Sequence, residues 1–270
     1  MRFNTSFIAG HSTSIEIGLY ALLITTLWFL ESLFMTASLK DKYHHTLNNI
    51  KFIAMALPVQ LLMTFPLLKV SSIMGDHHWG ILFIPLISAH PVLKYFLGFI
   101  MLDFLDYWYH VIMHKTKPLW NFHMVHHADK QMDVTTTVRE HPGETFFRTG
   151  FLVMWVGITG AGLGLLLLRQ TFQTIVNVSS HTGFRLSEKA DRWIGYIFVT
   201  PNIHHVHHHF ELPHTDCNYG DVLSIWDRLF GTYRKLEYED TVFGLDTHIN
   251  HEGCHSYIPA LMMPFEKKVN

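Results

Sequence analysis

The stretch Asp103–His127, DFLDYWYHVIMHKTKPLWNFHMVHH, decides the fold and the chemistry expected of this chain. It holds five histidines in two clusters, which are His110 and His114, then His123, His126 and His127. Residues three or four apart lie on one face of an α-helix, so each cluster can direct its imidazoles to one point. A third cluster, His204, His207 and His208, has the same spacing. Eight imidazoles directed in this way exceed what one metal ion needs, and we therefore predict a two-metal centre.

The composition indicates a membrane protein. Of 270 residues, 49% are hydrophobic and only 16% are charged, which is low for a soluble protein. The formal net charge of −2 gives no sign of a nucleic-acid partner. Cys217 and Cys254 have neither zinc-ribbon spacing nor enough partners for a disulfide framework, and a reducing compartment fits them. Without repeats or an internal linker, residues 1–270 are predicted to form one domain.

Four largely apolar stretches are long enough to be predicted as membrane segments. They are about Ile15–Leu39, Phe52–Leu68, Trp79–Leu102 and Thr149–Leu168. The first is expected to be retained as a helix, because it lacks a convincing small-residue cleavage site for a signal peptide. Kinks are expected in the second, at Pro58 and Pro66. The prediction is an all-α, integral membrane helical bundle with a cytoplasmic helical cap that carries the histidines.

The distribution of lysine and arginine predicts the topology of these segments. Basic residues concentrate between the first and second segments and again between the third and fourth, so both loops should be cytoplasmic. A single crossing at the fourth segment would place the third histidine cluster on the opposite side. The glycine-rich run Gly157–Gly164, GITGAGLG, offers a turn that returns the chain. A half-membrane hairpin is favoured, and two full crossings are the alternative.

Six motifs occur in order between Asp103 and Tyr233, over about half the chain. They are DFLDYWYH, PLWNFHMVHH, VREHPGE, SSHTG, PNIHHVHH and NYGDVLSIWDRLFGTY. In these motifs the sequence resembles the fatty acid hydroxylase superfamily, which includes the sterol desaturases. The histidine-box core would therefore extend over about residues 103–233. Val111 departs from the family pattern, since many relatives have arginine after the first histidine.

The resemblance implies an integral membrane enzyme with a histidine-ligated di-iron centre that uses dioxygen and two electrons. Zinc is a possible substitute in purified protein. The metal ligands, and thus the catalytic residues, that it implies are His110, His114, His123, His126, His127, His181, His204, His207 and His208. His141 also lies in a family motif, as a ligand or as a residue beside one. His205 and His209 fall outside the family spacing and are expected to point elsewhere.

Carboxylates are expected to orient the N–H groups of the ligand histidines. The candidates are Asp103, Asp106, Glu144 and Asp227. Electrons are expected to come from a separate reductase, ferredoxin or cytochrome. The resemblance further implies a multi-pass protein of a bacterial inner membrane or the endoplasmic reticulum, with its active site on the cytoplasmic side.

Three functions remain open. The leading one is hydroxylation or desaturation of a fatty acyl, sterol or related lipid, and a carotenoid hydroxylase or ketolase uses similar histidine boxes. The third is a non-catalytic zinc-binding or metal-transport membrane protein. Transport would favour histidines and acidic residues inside membrane helices, whereas the clusters here are predicted beyond the helix ends.

Overall fold

The computed structural model describes residues 5–34, 38–248 and 250–266, and helices joined by loops make up this part of the protein. Within these residues there is no β-strand, and two isolated bridges pair Phe198 with Leu223 and His209 with Phe243. The α-helices of the described chain are α1 (Thr5–Phe34), α2 (Leu39–His77), α3 (Pro85–Ser88), α4 (Pro91–Lys115), α5 (Lys117–His127), α6 (Pro142–Thr159), α7 (Leu163–Ser180), α8 (Glu188–Ile194), α9 (Pro201–His207), α10 (Ile225–Phe230) and α11 (Tyr257–Met262). The predicted all-α class is confirmed.

Helix α2 contains the second predicted membrane segment. It begins after Ser38, whose side chain accepts a hydrogen bond from the Asp41 backbone N–H at 3.1 Å. Its 39 residues make it about 60 Å long at the usual rise per residue. By length and composition, α2 and α4 are the two helices of the described chain that could cross a membrane.

The middle of α2 presents apolar side chains outward. Leu61, Leu62 and Phe65 are exposed, which suits hydrocarbon surroundings better than water. Pro58 and Pro66 lie inside the helix without ending it, and the kinks expected there stay a prediction. The other side of α2 packs along α6.

The third predicted segment, Trp79–Leu102, has the wrong limits. Residues 79–90 contain a short 3-10 helix and α3, and the long helix α4 starts only at Pro91. Proline lacks an N–H and has a fixed φ, so it suits the first helical turn, and both Pro85 and Pro91 begin helices here. Helix α4 ends at Lys115 and carries the first histidine cluster.

Helix α1 covers most of the first predicted segment, and residues 35–37 lie outside the described residues. Near its end, Glu31 is buried and forms an ion pair with Lys42 Nζ of α2 at 2.8 Å. The same carboxylate accepts hydrogen bonds from the backbone N–H of Val134 and of Gly183. Because a buried charge must be paired, Glu31 fastens α1 to three later parts of the chain.

The fourth predicted segment, Thr149–Leu168, is not one helix. The chain turns between α6 and α7 at residues 160–162, inside the glycine-rich run, so the predicted reversal is confirmed. Gly160 has φ +73°, and a Cβ there would lie 2.3 Å from the Trp79 carbonyl oxygen. Ser71 Oγ of α2 donates to the Ala161 carbonyl at 2.9 Å, which fixes the turn against α2.

We expect Gly160→Ala to destabilise the protein by about 1–3 kcal/mol from left-handed backbone strain alone, and the steric clash adds to this loss. Gly162→Ala is the matched control, since its φ is −85° and nothing lies within 4 Å of the added Cβ. Thermal unfolding in detergent measures the difference. Equal unfolding temperatures for the two variants would contradict the account of this turn.

Candidate metal centre

The predicted ligand histidines come from four parts of the fold. Helix α4 carries two, α5 carries three, one follows α7, and the last three lie on α9 and at its C-terminal cap. Thr116 alone separates α4 from α5, so the first five histidines lie on an almost continuous helical hairpin. Helix α9 begins with Pro201 in its first turn, and the Thr200 side chain caps it by accepting from the Ile203 N–H at 3.2 Å.

All nine histidines gather into two adjacent groups. In each group the potential ligand atoms lie within 4.8 Å of one another. The group of five is His110, His114, His123, His127 and His207, and the group of four is His126, His181, His204 and His208. Helices α5 and α9 each contribute to both groups. The rings of His127 and His208 stack across the boundary with centroids 4.4 Å apart.

In five of the nine imidazoles, Nδ1 forms a hydrogen bond on the side that faces away from the two histidine groups. The Nδ1 partners are the carbonyl oxygens of Tyr219 (for His110, 2.9 Å), Cys217 (for His207, 2.6 Å) and Asn177 (for His181, 2.7 Å), and the carboxylates of Glu144 (for His123, 2.6 Å) and Asp216 (for His114, 3.3 Å). A carbonyl oxygen only accepts, so the Nδ1 facing it carries the proton. Nε2 of each ring then has a free lone pair directed inward, which is the tautomer a metal ligand needs.

The inward nitrogens lack suitable hydrogen-bond partners. Nε2 of His114, His207 and His208 is buried without any partner. Nε2 of His110 faces Nε2 of His123 at 3.1 Å, although both rings place their proton on Nδ1. Two lone pairs at that distance repel, and a cation between such nitrogens removes the repulsion. The donor set therefore fits metal ions that accept imidazole, such as iron, zinc or copper.

Burial keeps the histidines outside the candidate membrane helices neutral. It lowers the pKa of His207 to about 3 and that of His181 to about 4. Burial, with repulsion from neighbouring histidines, lowers the pKa of four others well below the usual range: His126, His127, His204 and His208. Because a protonated imidazole cannot bind a metal, this environment preserves the ligands at neutral pH.

We expect metal-free protein to lose stability as the pH falls from 7.5 to 5.5. The folded-state pKa values lie below the unfolded value of about 6.5, so the unfolded chain binds more protons in this window. The loss should be about 1 kcal/mol for each such histidine. His205→Gln should reduce this dependence, since burial lowers the pKa of His205 to about 3. An unfolding temperature independent of pH would contradict the prediction.

Of the four predicted carboxylates, Glu144 is the one that contacts a histidine of either group within the described residues. Asp227 acts one step further away, since it accepts from the N–H groups of Tyr219 and Gly220 at 2.7 and 2.8 Å. It thereby fixes the loop whose Tyr219 carbonyl orients His110. Asp103 and Asp106, predicted to orient histidines, are engaged elsewhere.

Asp103 and Asp106 instead join α4 to its neighbours. Asp103 accepts from the Trp226 indole at 2.8 Å, and Asp106 is paired with Arg169 Nε at 2.6 Å. Asp216, which contacts His114, was not predicted, because a single acidic residue in a loop carries no spacing signal. The carbonyl oxygens of residues 177, 217 and 219 were missed for the same reason.

The remaining candidate histidines lie outside both groups. His141 caps α6 by accepting from the Gly143 N–H at 2.9 Å, so its Nε2 carries the proton that faces the Leu261 carbonyl at 3.2 Å. It is thus placed to position the helix that carries Glu144. His205 Nε2 contacts the Thr182 carbonyl at 2.8 Å, next to His181, and His209 Nδ1 accepts from the Val242 N–H.

The two groups of histidines make this helical protein a candidate metalloprotein. Residues 95–232 match the model of the fatty acid hydroxylase family. The chain belongs to this family.

Several curated proteins are similar to the chain. An ornithine lipid hydroxylase, OlsE, of Rhizobium tropici is 29% identical over 64% of this chain and 50% of its own length. Alkylglycerol monooxygenase of Xenopus tropicalis is 29% identical over 58% of the chain and 34% of its own length. Methylsterol monooxygenase 2-1 of Arabidopsis thaliana is 30% identical over 52% of the chain and 56% of its own length. The chain thus spans between about a third and just over half of these relatives. No solved structure matches it.

Proposed function

We propose that the protein is a membrane-bound, dioxygen-dependent lipid monooxygenase with two iron ions. The observation that carries the proposal is the arrangement of nine histidines, seven buried and two half-buried, in two adjacent groups, with five Nδ1 atoms hydrogen-bonded outside them. One iron would bind the group of five and the other the group of four. The names of the relatives, a hydroxylase and two monooxygenases, favour hydroxylation over desaturation.

The two ions, when bound, would supply redox chemistry that consumes dioxygen, two electrons and two protons and yields a hydroxylated lipid and water. The chain supplies orientation and shielding. Glu144 and the carbonyls of the 217–219 loop hold the imidazoles in one tautomer. Trp120 packs on the rings of His114 and His127, with centroids 4.7 and 5.4 Å away, and limits the access of water. The electron donor would be a separate reductase, ferredoxin or cytochrome.

A lipid substrate and a membrane location form part of the proposal. The exposed apolar side chains of α2, together with the length of α4, support insertion in a bilayer. The centre lies at the C-terminal end of α4, where a lipid could reach it laterally. We further propose the four-segment arrangement, with α6 and α7 as the returning hairpin and the histidine-bearing cap on the cytoplasmic side.

The test is metal and oxygen analysis of the protein purified from iron-replete cells. Two iron ions per chain, and oxygen uptake on adding reductant and lipid, are expected. Comparison of lipid extracts from cells with and without the gene would then identify the hydroxylated class. Zinc alone, with no oxygen uptake, would contradict the enzyme and favour a zinc-binding or metal-transport protein. Zinc found after overexpression would be weaker evidence against the enzyme, because zinc outcompetes ferrous iron at imidazole sites.

A further inference from the structure

An exposed aromatic and aliphatic surface lies on the cap, away from the nine histidines. We define this surface, the interfacial patch, as Trp193, Ile194, Tyr196, Ile197, Leu229 and Phe230. Trp193, Tyr196 and Leu229 are 68%, 65% and 69% exposed. A contiguous apolar area of this kind on a protein surface marks a contact with a membrane or another protein.

The two parts of the interfacial patch form one surface. The Gly195 carbonyl oxygen accepts from Ser224 Oγ at 2.6 Å and from Arg228 Nη2 at 2.7 Å. The Ser224 N–H donates to the Ile197 carbonyl at 2.9 Å. These bonds hold the end of α8 and the segment after it against α10, which carries Leu229 and Phe230.

The interfacial patch continues directly from the surface of α4. The Phe230 ring contacts those of Tyr107 and Trp108, with centroids 5.4 and 5.2 Å away. Trp108 lies seven residues before Lys115, the last residue of α4, which corresponds to about 10 Å along the helix. The patch therefore lies near the polar end of a helix that could cross a membrane, which is where the boundary between acyl chains and headgroups would fall if α4 spans the bilayer.

The side chains in and around the interfacial patch also suit the boundary between acyl chains and headgroups. Tryptophan and tyrosine favour the interface between membrane and water because their rings are apolar at one end and polar at the other. Arg228 lies over the Tyr196 ring at 5.2 Å, and its Nε is buried without a hydrogen-bond partner. Helix α8 carries two basic residues, Lys189 and Arg192, and two acidic ones, Glu188 and Asp191, of which Asp191 accepts a hydrogen bond from the Thr200 hydroxyl.

We propose that the interfacial patch inserts into the headgroup–acyl boundary of the same bilayer that α2 and α4 enter, with the neighbouring basic side chains at lipid phosphates. This rests on the membrane placement in the proposed function and adds a second, non-spanning contact. Residues 193–198 lead through Thr200 into α9, which carries His204 and His207. Insertion would therefore fix the distance of α9 from the lipid surface.

Spin labels on single introduced cysteines test the proposal in the full chain, reconstituted in vesicles of phosphatidylcholine and phosphatidylglycerol. The native Cys217 and Cys254 are buried, and unmodified protein gives the labelling background. Ile197→Cys and Leu229→Cys report on the patch, and each can stand alone if the other fails to fold. Glu237→Cys, at an exposed position of the cap, is the matched control, and Leu62→Cys reports on α2.

At the patch, the ratio of accessibility to oxygen over a water-soluble nickel chelate should be severalfold higher than at the Glu237→Cys control. A ratio equal to the control would show a patch in water and would overturn the proposal. Exclusion of both reagents would show a contact with a second copy of the chain and would overturn it equally. If Leu62→Cys lies in lipid while the patch lies in water, only the patch proposal fails. If both lie in water, the membrane placement fails with it.

Discussion

Replacing His207 by alanine is expected to abolish turnover and to remove the ion from the group of five histidines, while membrane insertion survives. His126→Ala should do the same to the group of four. Each change deletes a ligand nitrogen that no other described side chain replaces, which leaves four imidazoles in one group or three in the other. Iron per chain, measured by mass spectrometry, and product formation give the two readouts.

The control is His44→Ala, which removes an exposed histidine outside both groups. It should keep full metal content and activity. If the groups load independently, His207→Ala and His126→Ala should each lower the iron content from two ions to one per chain, and the double variant should bind none. Retained turnover in either ligand variant would contradict the assignment of that histidine.

Glu144→Gln should lower metal affinity or turnover by about 10- to 100-fold, the usual cost of losing a residue that orients a metal ligand. The carboxylate of Glu144 accepts the His123 Nδ1 proton at 2.6 Å, and both side chains are buried. Glutamine has a similar shape to glutamate but lacks the negative charge, and that charge makes the His123 imidazole a stronger ligand for a metal ion. The apparent metal affinity, from competition with a chelator, is the direct measurement.

Glu140→Gln is the matched control for this change. Glu140 precedes α6 and forms an ion pair with Arg148 at 3.1 Å, and it contacts no histidine of either group in the described chain. Its replacement should leave metal affinity unchanged. A loss as large as that of Glu144→Gln would mean that α6 is merely displaced, and the orienting role of Glu144 would then be wrong.

The histidine set could be predicted because its signal is local. Spacings of three and four residues are visible in one turn of helix, and three such clusters in one chain indicate a common centre. His181 was implied only by the family resemblance, since a lone histidine has no pattern. The chain reversal at Gly160 could be predicted for the same reason, because the glycine-rich run that forms it is continuous in the sequence.

The division into five and four could not be read from the sequence. It depends on where α9 lies relative to α5, because His207 joins the group of five while His204 of the same helix joins the group of four. Long-range partners were equally invisible. His45 of α2, for example, contacts Asp129 just beyond α5 at 2.8 Å, across 84 residues of sequence. The limits of the third segment were wrong because the apolar stretch runs across Pro85 and Pro91, where new helices begin.

The single residue between α4 and α5 has a consequence for biosynthesis. Four of the five histidines in the larger group lie within residues 110–127, on helices that meet without a long loop to close. Local contacts of this kind form early, whereas distant ones wait for the rest of the chain. We therefore expect the nascent polypeptide to bring these four imidazoles together before the ribosome has made residues 181–208, so that His207 completes the group of five last.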